Sequence, residues 1–317
     1  AYSEIDLAPG AAYEAPPFWL PPVPEYRVTI VDSTERPVSG AAIRLLRPAI
    51  DGWISTDENG STTLPLDTLP ADGVVLGTAE HPTANEAAVF ALREEDRAAA
   101  VVQLLPSSLI EGRVVDEKGK PVSGAHVSLL YAPDEARQAA PLWDGFTAND
   151  GTYRWIGAPA RVPIVAAAAA PAKEGPAIET HSAVLVAERA DGVHISDLVL
   201  AGPIAPLPRE TPLDLSSASV ICGSAVPADA PIIAAFAEAN DAAETTRALV
   251  SLSERVECSI ALLVGGAIPC ETVGIAVYSV AGPVSARFYV VGPDRKVLYR
   301  CLSTPSLIHV RELLGGR

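Results

Sequence analysis

The sequence predicts an all-β chain of tandem β-sandwich domains followed by a disulfide-bonded, mostly β C-terminal domain, and three observations point that way. The stretch Ile30 to Leu46, IVDSTERPVSGAAIRLL, returns 84 residues later as Val114 to Leu130, VVDEKGKPVSGAHVSLL, with nine of seventeen positions identical. A repetition of that density marks two copies of one module. Each copy then carries a turn pair between β-prone runs, Asn59-Gly60 in the first and Asp150-Gly151 in the second, which is a strong short-range hairpin signal. Finally, all four cysteines fall in the last third of the chain.

Within each copy, a β-rich run ends in Asp32 or Asp116 and a polar segment leads to Pro-Val-Ser-Gly-Ala. Alternating residues follow, so the order is strand, turn, strand. Proline has no amide donor and belongs at the start or edge of a strand, while the motif glycines Gly40 and Gly124 can take backbone angles closed to other residues. Copy two is seven residues longer between motif and turn. The extra length falls around Tyr131 to Pro141, where a surface loop tolerates insertion because closure entropy rises slowly with length. Both copies close with an alternating strand running into proline, Ala99 to Pro106 and Ile195 to Pro203.

The segment Gly112-Arg113-Val114-Val115-Asp116 through Pro121-Val122-Ser123-Gly124-Ala125, the later Asn149-Asp150-Gly151-Thr152-Tyr153 turn and the closing strand resemble the carboxypeptidase regulatory-like module. The resemblance covers residues 26 to 203 and implies two transthyretin/Ig-like β-sandwiches. Copy one departs from the family pattern, with Tyr26 and Glu35 where glycines are usual. Modules of this kind accompany peptidases, receptors, adhesins and surface scaffolds alike, so the resemblance speaks to fold rather than function.

The domain plan that follows is a Pro-rich N-terminal extension at 1–25, sandwich repeats at 26–106 and 109–203, a Pro-rich linker at 204–212 and the cysteine-bearing domain at 213–317. The extension combines six prolines with Tyr2, Ile5, Leu7, Tyr13, Phe18, Trp19 and Leu20. It has apolar anchors but no core of its own, as expected of a segment that packs on something else, either a neighbouring subunit or its own first sandwich. In the C-terminal domain, strands are expected over Ser219–Ser224, Cys258–Val264, Val273–Val280, Ala286–Val291 and Val297–Leu302, with Gly292-Pro293-Asp294 turning the last pair into a hairpin. The alanine-rich run between Pro231 and Leu252 reads as one helix. The spacings of Cys222, Cys258, Cys270 and Cys301 fit no compact zinc pattern. Two disulfides are expected, with Cys222–Cys258 and Cys270–Cys301 favoured among three connectivities and buried free thiols as the alternative.

Charge and motifs exclude several classes. A net charge of −16 argues against nucleic acid and anionic membranes as partners. From Arg209 onward there are 11 acidic and 9 basic residues, leaving 28 acidic and 14 basic ahead of it, so the acidity belongs to the repeats and extension. No apolar run reaches the length a membrane helix needs. The chain has no methionine and starts at Ala1, which suits the product of a signal peptidase and an extracellular or cell-surface location. The five histidines are dispersed, and no nucleophile elbow, phosphate loop or zinc-protease motif occurs. Among transthyretin-like enzymes, hydroxyisourate hydrolases end in Tyr-Arg-Gly-Ser, whereas here Tyr299-Arg300 runs into Cys301-Leu302. No catalytic residue, cofactor or metal site is therefore predicted. Asp57, Glu58, Asn59, Asn149 and Asp150 are read as turn formers rather than Ca²⁺ ligands. The expected function is non-enzymatic and structural, a subunit self-associating through its extension into a filament, pilus-like polymer or surface assembly. Alternatives are a glycan- or protein-binding module, with Trp143, Phe146, Tyr153 and Trp155 as the ligand-facing aromatics, and an accessory region of a secreted peptidase.

Overall fold

The computed structural model describes residues 25–317 except 51, 65, 67–69, 71, 134–138, 174–175, 188–191, 206–218, 224, 228, 238–241, 257, 265–274, 280–286, 295 and 316–317. The tail anchors Tyr2, Ile5, Leu7, Tyr13, Phe18, Trp19 and Leu20, most of the 204–212 linker and Cys270 lie outside the described residues.

The first repeat contains β1 (Tyr26–Val31), β2 (Ala42–Arg47), β3 (Ile54–Ser55), β4 (Ser61–Leu64), β5 (Val75–Glu80), β6 (Glu86–Leu92), β7 (Ala100–Gln103) and β8 (Leu105–Pro106). They form two sheets, β4-β1-β7 and β3-β2-β5-β6-β8. One apolar core lies between them, contributed by Tyr26, Val28, Ile30, Ile43, Leu45, Leu64, Val75, Phe90 and Val102 among others. The second repeat contains β9 (Ser108–Asp116), β10 (His126–Tyr131), β11 (Ala140–Phe146), β12 (Thr152–Ala158), β13 (Pro163–Ala170), β14 (Ile178–His181), β15 (Leu185–Val186), β16 (Val193–His194) and β17 (Leu198–Leu200). Its sheets are β12-β9-β16, with β17 also on β9, and β11-β10-β13-β14, with β15 also on β13. In both repeats the late strand pairs parallel to the first strand, Ile30 facing Val102 and Val114 facing Leu198.

The repeated motif is tied down identically in the two copies. Pro37 and Pro121 form single bridges to Val31 and Val115, so each proline sits at a ladder end where its missing donor costs nothing. The amide of Val38 then bonds the Ile30 carbonyl at 2.9 Å, and Val122 bonds Val114 at 3.0 Å. A buried threonine closes each motif. The Thr56 hydroxyl donates to the Val38 carbonyl and accepts from the Ala41 amide, and Thr147 does the same with Val122 and Ala125. Gly40 and Gly124 lie at φ +70° and +75° with their amides on the Thr56 and Thr147 carbonyls.

The Asn59-Gly60 and Asp150-Gly151 pairs make turns but not hairpins between paired strands. The strands on either side go to opposite sheets, β3 and β4 in one copy and β11 and β12 in the other. The cause is close approach to the motif: a Cβ on Gly60 would lie 2.8 Å from the Val38 nitrogen, and one on Gly151 2.6 Å from the Val114 oxygen. Glu35 occupies the position of Gly119 and holds φ +64° beside its +75°, so the first copy keeps the backbone of the second without its glycine. By strand pairing, the first-copy residue at the site of Gly112 is Val28 rather than Tyr26.

The C-terminal unit holds β18 (Ser219–Cys222), β19 (Ile232–Ala237), α1 (Ala242–Ser253), β20 (Ser259–Val264), β21 (Ala276–Ser279), β22 (Phe288–Val291), β23 (Val297–Cys301) and α2 (Leu307–Leu313). All five expected strands are present and β22 and β23 form the expected hairpin. The expected single helix over Pro231 to Leu252 is instead a strand followed by a helix. Ile232–Ala237 becomes the central strand of the order β18-β21-β20-β19-β22-β23 and is covered on both faces, which erases the alternation that marks a half-buried strand. The segment β19-α1-β20 joins parallel neighbours, so this sheet is mixed. The helix buries Ala242, Thr245, Thr246, Leu249 and Leu252 along one face.

The disulfide expectation is corrected. Cys258 and Cys301 are free thiols, so neither favoured pairing forms. Cys222 pairs with Val277 on β21, which pairs with Leu262 on β20, four residues beyond Cys258. Two strand spacings of about 4.8 Å and four residues at about 3.3 Å each put the Cα atoms well beyond disulfide reach.

Two measurements check this description. Thr147→Val leaves the Ala125 amide and Val122 carbonyl unpaired and should cost about 1–3 kcal/mol in urea denaturation, with Gly151→Ala costing at least as much through its backbone angle and the Val114 clash. Thiol titration should label Cys301, which has no exposed surface, only in denaturant.

Candidate functional site

The most densely built polar site lies where the three units meet. Strand β2 sends Ile43 and Leu45 into the first sandwich core and turns Ala42 and Arg44 outward. On an isolated sandwich that outer face would be wet, yet Arg44 and Glu80 of β5 are both buried. Strand β11 is likewise buried over Leu142, Trp143, Asp144 and Gly145. What covers them is the end of the chain, from Tyr299 on β23 through α2. One apolar cluster runs from Ala42 through the second sandwich into the C-terminal sheet and α2.

Each buried charge finds most of its partners in another unit. The Arg44 guanidinium donates to the Thr304 carbonyl at 2.7 Å and the Leu142 carbonyl at 2.6 Å. The Glu80 carboxylate accepts from the Ile308 amide at 2.9 Å and the Ser306 hydroxyl at 3.2 Å, at the first turn of α2, where a negative charge is favoured. Asp144 accepts from the Leu302 amide at 2.7 Å, the Ser303 amide at 3.1 Å, the Ser303 hydroxyl and His126 Nε2 at 3.3 Å. The Tyr299 hydroxyl donates to the Asp144 carbonyl. On the rim, Arg311 donates to the carbonyls of Pro82 and Ala84, Asn85 to Glu312, and Arg255 to the Gly40 carbonyl and the Ser55 hydroxyl.

Burial sets the protonation of these groups. It raises the Glu80 carboxyl, against the opposing pull of the Ile308 amide and Arg44. Burial alone would also raise Asp144, but the hydrogen bonds from His126, Ser303 and Leu302 outweigh it and hold the carboxyl below its usual range. Desolvation pushes the Tyr299 hydroxyl and Cys301 thiol well above their ordinary values, so both stay neutral. The junction is therefore an enclosed clamp: its acids are occupied by amides and hydroxyls, and its nucleophile-bearing residues are protonated and buried.

The aromatic group that the sequence offered as ligand-facing is placed elsewhere. Trp143, Tyr153 and Trp155 are 4%, 4% and 2% exposed, and the half-buried Phe146 lies under the Arg300 guanidinium at 4.7 Å. Trp143 stacks on Trp155 and Tyr299 and meets His309 edge-on. Those rings belong to the junction and present no face to a ligand. Packing at the junction explains two glycines, since a Cβ on Gly145 would touch Trp143 and one on Gly157 would lie 2.6 Å from Ile308.

The turn residues Asn59, Gly60, Asp150 and Gly151 and the motif glycines lie at the opposite task of holding each sandwich together. The Asp57 carboxylate is occupied by the amides of Asn59 and Ser61, and that of Asp150 by Thr152. Arg44, Glu80, Asp144, His309 and Arg311 were not singled out from sequence. The available signal was modest: Arg44 and Asp144 each interrupt an apolar β-run, AIRLL and PLWDGF, where a charge is expected only with a partner.

No protein-family model and no curated protein matches the chain. Among solved structures it is similar to the Bacillus anthracis TIE protein, at 10% identity and TM-score 0.24 over 68% of this chain and 36% of that one. It is also similar to the shaft pilin SpaA from Lactobacillus rhamnosus GG, at 14% identity and TM-score 0.25 over 59% of this chain and all of that one. A third likeness, to a streptococcal ancillary pilin, has 14% identity and TM-score 0.24 over 54% and 61% of the two chains. The chain thus spans about a third of the TIE protein's length. At these scores the likeness carries no functional argument. Among the described residues no helix is long and apolar enough to cross a membrane.

The clamp predicts that Asp144→Asn destabilises by about 3–5 kcal/mol at pH 7, because an amide group would face the Leu302 and Ser303 donors. A depressed carboxyl contributes stability above its ordinary value of 3.8 that is lost as pH falls through the folded value. Urea midpoints of the two proteins should therefore converge in acid below about pH 4.

Proposed function

We propose that this chain is a non-enzymatic structural subunit of an extracellular or cell-surface assembly. In this reading, carboxypeptidase regulatory-like, transthyretin-like sandwiches form the body and the N-terminal extension at 1–25 carries the contact with a neighbouring copy. The observation that carries it is the junction. Tandem modules joined by a bare linker move independently, whereas these two are bridged by a third unit whose last residues satisfy Glu80 of one and Asp144 of the other. Such joining suits a subunit that transmits force or keeps a fixed spacing. It also supplies no open cleft around its titratable groups. The glycan-binding alternative loses its motivating feature because the aromatics it needed are interior.

The extension supplies what an assembling subunit needs. Ala1 to Ala8 and Gly10 to Ala15 are free of proline and able to pair as strand, and Phe18, Trp19 and Leu20 are apolar anchors among prolines. Repeated head to tail, such a contact yields a filament unless its rotation closes a ring. Negative-stain electron microscopy and sedimentation of the intact chain should show polymers, and a protein lacking residues 1–20 should remain monomeric with unchanged circular dichroism. Polymers from the truncated protein, or a monomer from the intact protein at high concentration, would refute the proposal.

A further inference from the structure

Helix α2 is the one element among those described that bonds to both sandwiches through its own backbone and side chains. Its N-terminal amide of Ile308 and the Ser306 cap hold Glu80, and Arg311 holds the Pro82 and Ala84 carbonyls. On the other side Ile308 fills the space over Gly157, and His309 Nδ1 accepts the Ile156 amide of β12 at 3.1 Å. The imidazole is 2% exposed and meets the rings of Trp143 and Tyr299 edge-on, with centroids 6.0 and 4.5 Å away.

We propose that α2 is a proton-operated latch, released when mild acid protonates His309, and that its release loosens the coupling of the two sandwiches. With Nδ1 accepting, a neutral ring carries its proton on Nε2, and a second proton must go to Nδ1, against the Ile156 N–H. Nothing nearby welcomes that charge. From β12 comes the cation Arg154; from β11, Asp144, whose carboxylate is taken by His126, Ser303 and the Leu302 amide. From β23 come Tyr299, donating to the Asp144 carbonyl, Arg300 over Phe146, and the Cys301 thiol on the Ser303 carbonyl. From the first sandwich come Arg44 and Glu80, both engaged, and α2 itself adds Arg311 and Glu312, turned to the 82–85 loop.

Burial, and then Arg154, push His309 down to about 3 from its ordinary 6.5. A released helix takes up the proton near 6.5 and a docked one does not until about 3. Docking is therefore fully supported above pH 6.5 and weakens about tenfold for each unit below it. Glu80 works against this, because its raised carboxyl gains a proton more readily when docked; Asp144 adds to release only below its ordinary 3.8.

The test is hydrogen exchange of the α2 and β12 segments in the full chain from pH 8 to 4, corrected for the intrinsic pH dependence of exchange, with circular dichroism alongside. The expected result is loss of protection in both segments between about pH 6 and 4 while the β signal persists. In His309→Asn, whose Oδ1 still accepts from Ile156, the loss should shift at least one pH unit lower. Arg154 is exposed, so Arg154→Glu should fold, and by making the docked imidazolium less unfavourable it should also move release to lower pH. Flat protection in the native protein down to pH 4, an unshifted midpoint in both variants, or loss that coincides with unfolding of the whole β signal would each overturn the latch.

Discussion

Three titratable side chains, Arg44, Glu80 and Asp144, are held out of water where the units meet, and the arrangement of the molecule follows from the need to satisfy them. An uncompensated buried charge costs several kcal/mol, so a first sandwich without its partners would present a charged strand face that must either hydrate or find donors. The residues from Tyr299 to Glu312 bring most of those donors and acceptors: one carbonyl for the guanidinium, whose second is Leu142 of β11, an amide and a hydroxyl for one carboxylate, two amides and a hydroxyl for the other. Folding of the C-terminal unit and joining of the sandwiches are thus one requirement.

This dependence differs in kind from what holds each sandwich together. There the dominant device is local and neutral, a threonine hydroxyl bridging the two backbone groups of the Val-Ser-Gly-Ala segment, with a turn glycine, Gly60 or Gly151, at which a Cβ would collide with the motif's backbone. Neutral backbone bonds of this sort contribute modestly one at a time, but they fix which strand crosses to which sheet. The junction, by contrast, depends on burial and charge, so it responds to pH in a way that the sandwich motifs do not. A protein built this way can keep its modules folded while their coupling varies.

The corrections share a physical origin. Cys222 and Cys301 lie on strands at opposite edges of one six-stranded sheet, and evenness of number or order along the chain has no bearing on that separation. Trp143, Tyr153 and Trp155 cluster, with Phe146 packed apart from them against His126 and Arg300, but aromatics are equally suited to an interior seam and to a ligand face. Which one applies depended on whether another unit packed over β11. The alanine-rich 231–252 run hides its strand because a strand covered on both faces loses its period, leaving only composition as a signal.

The sequence alone determined the modules: the 84-residue repeat, the proline and glycine of its motif, the Asn-Gly and Asp-Gly turns, and five of the C-terminal strands were readable because each rests on backbone chemistry confined to a few neighbouring residues. It did not determine the junction. Arg44 and Thr304 are 260 positions apart, and Glu80 and Ile308 are 228; nothing in either local stretch encodes the other. Only the tertiary structure decided that these charges meet, because long-range pairing of buried polar groups is set by how whole faces pack.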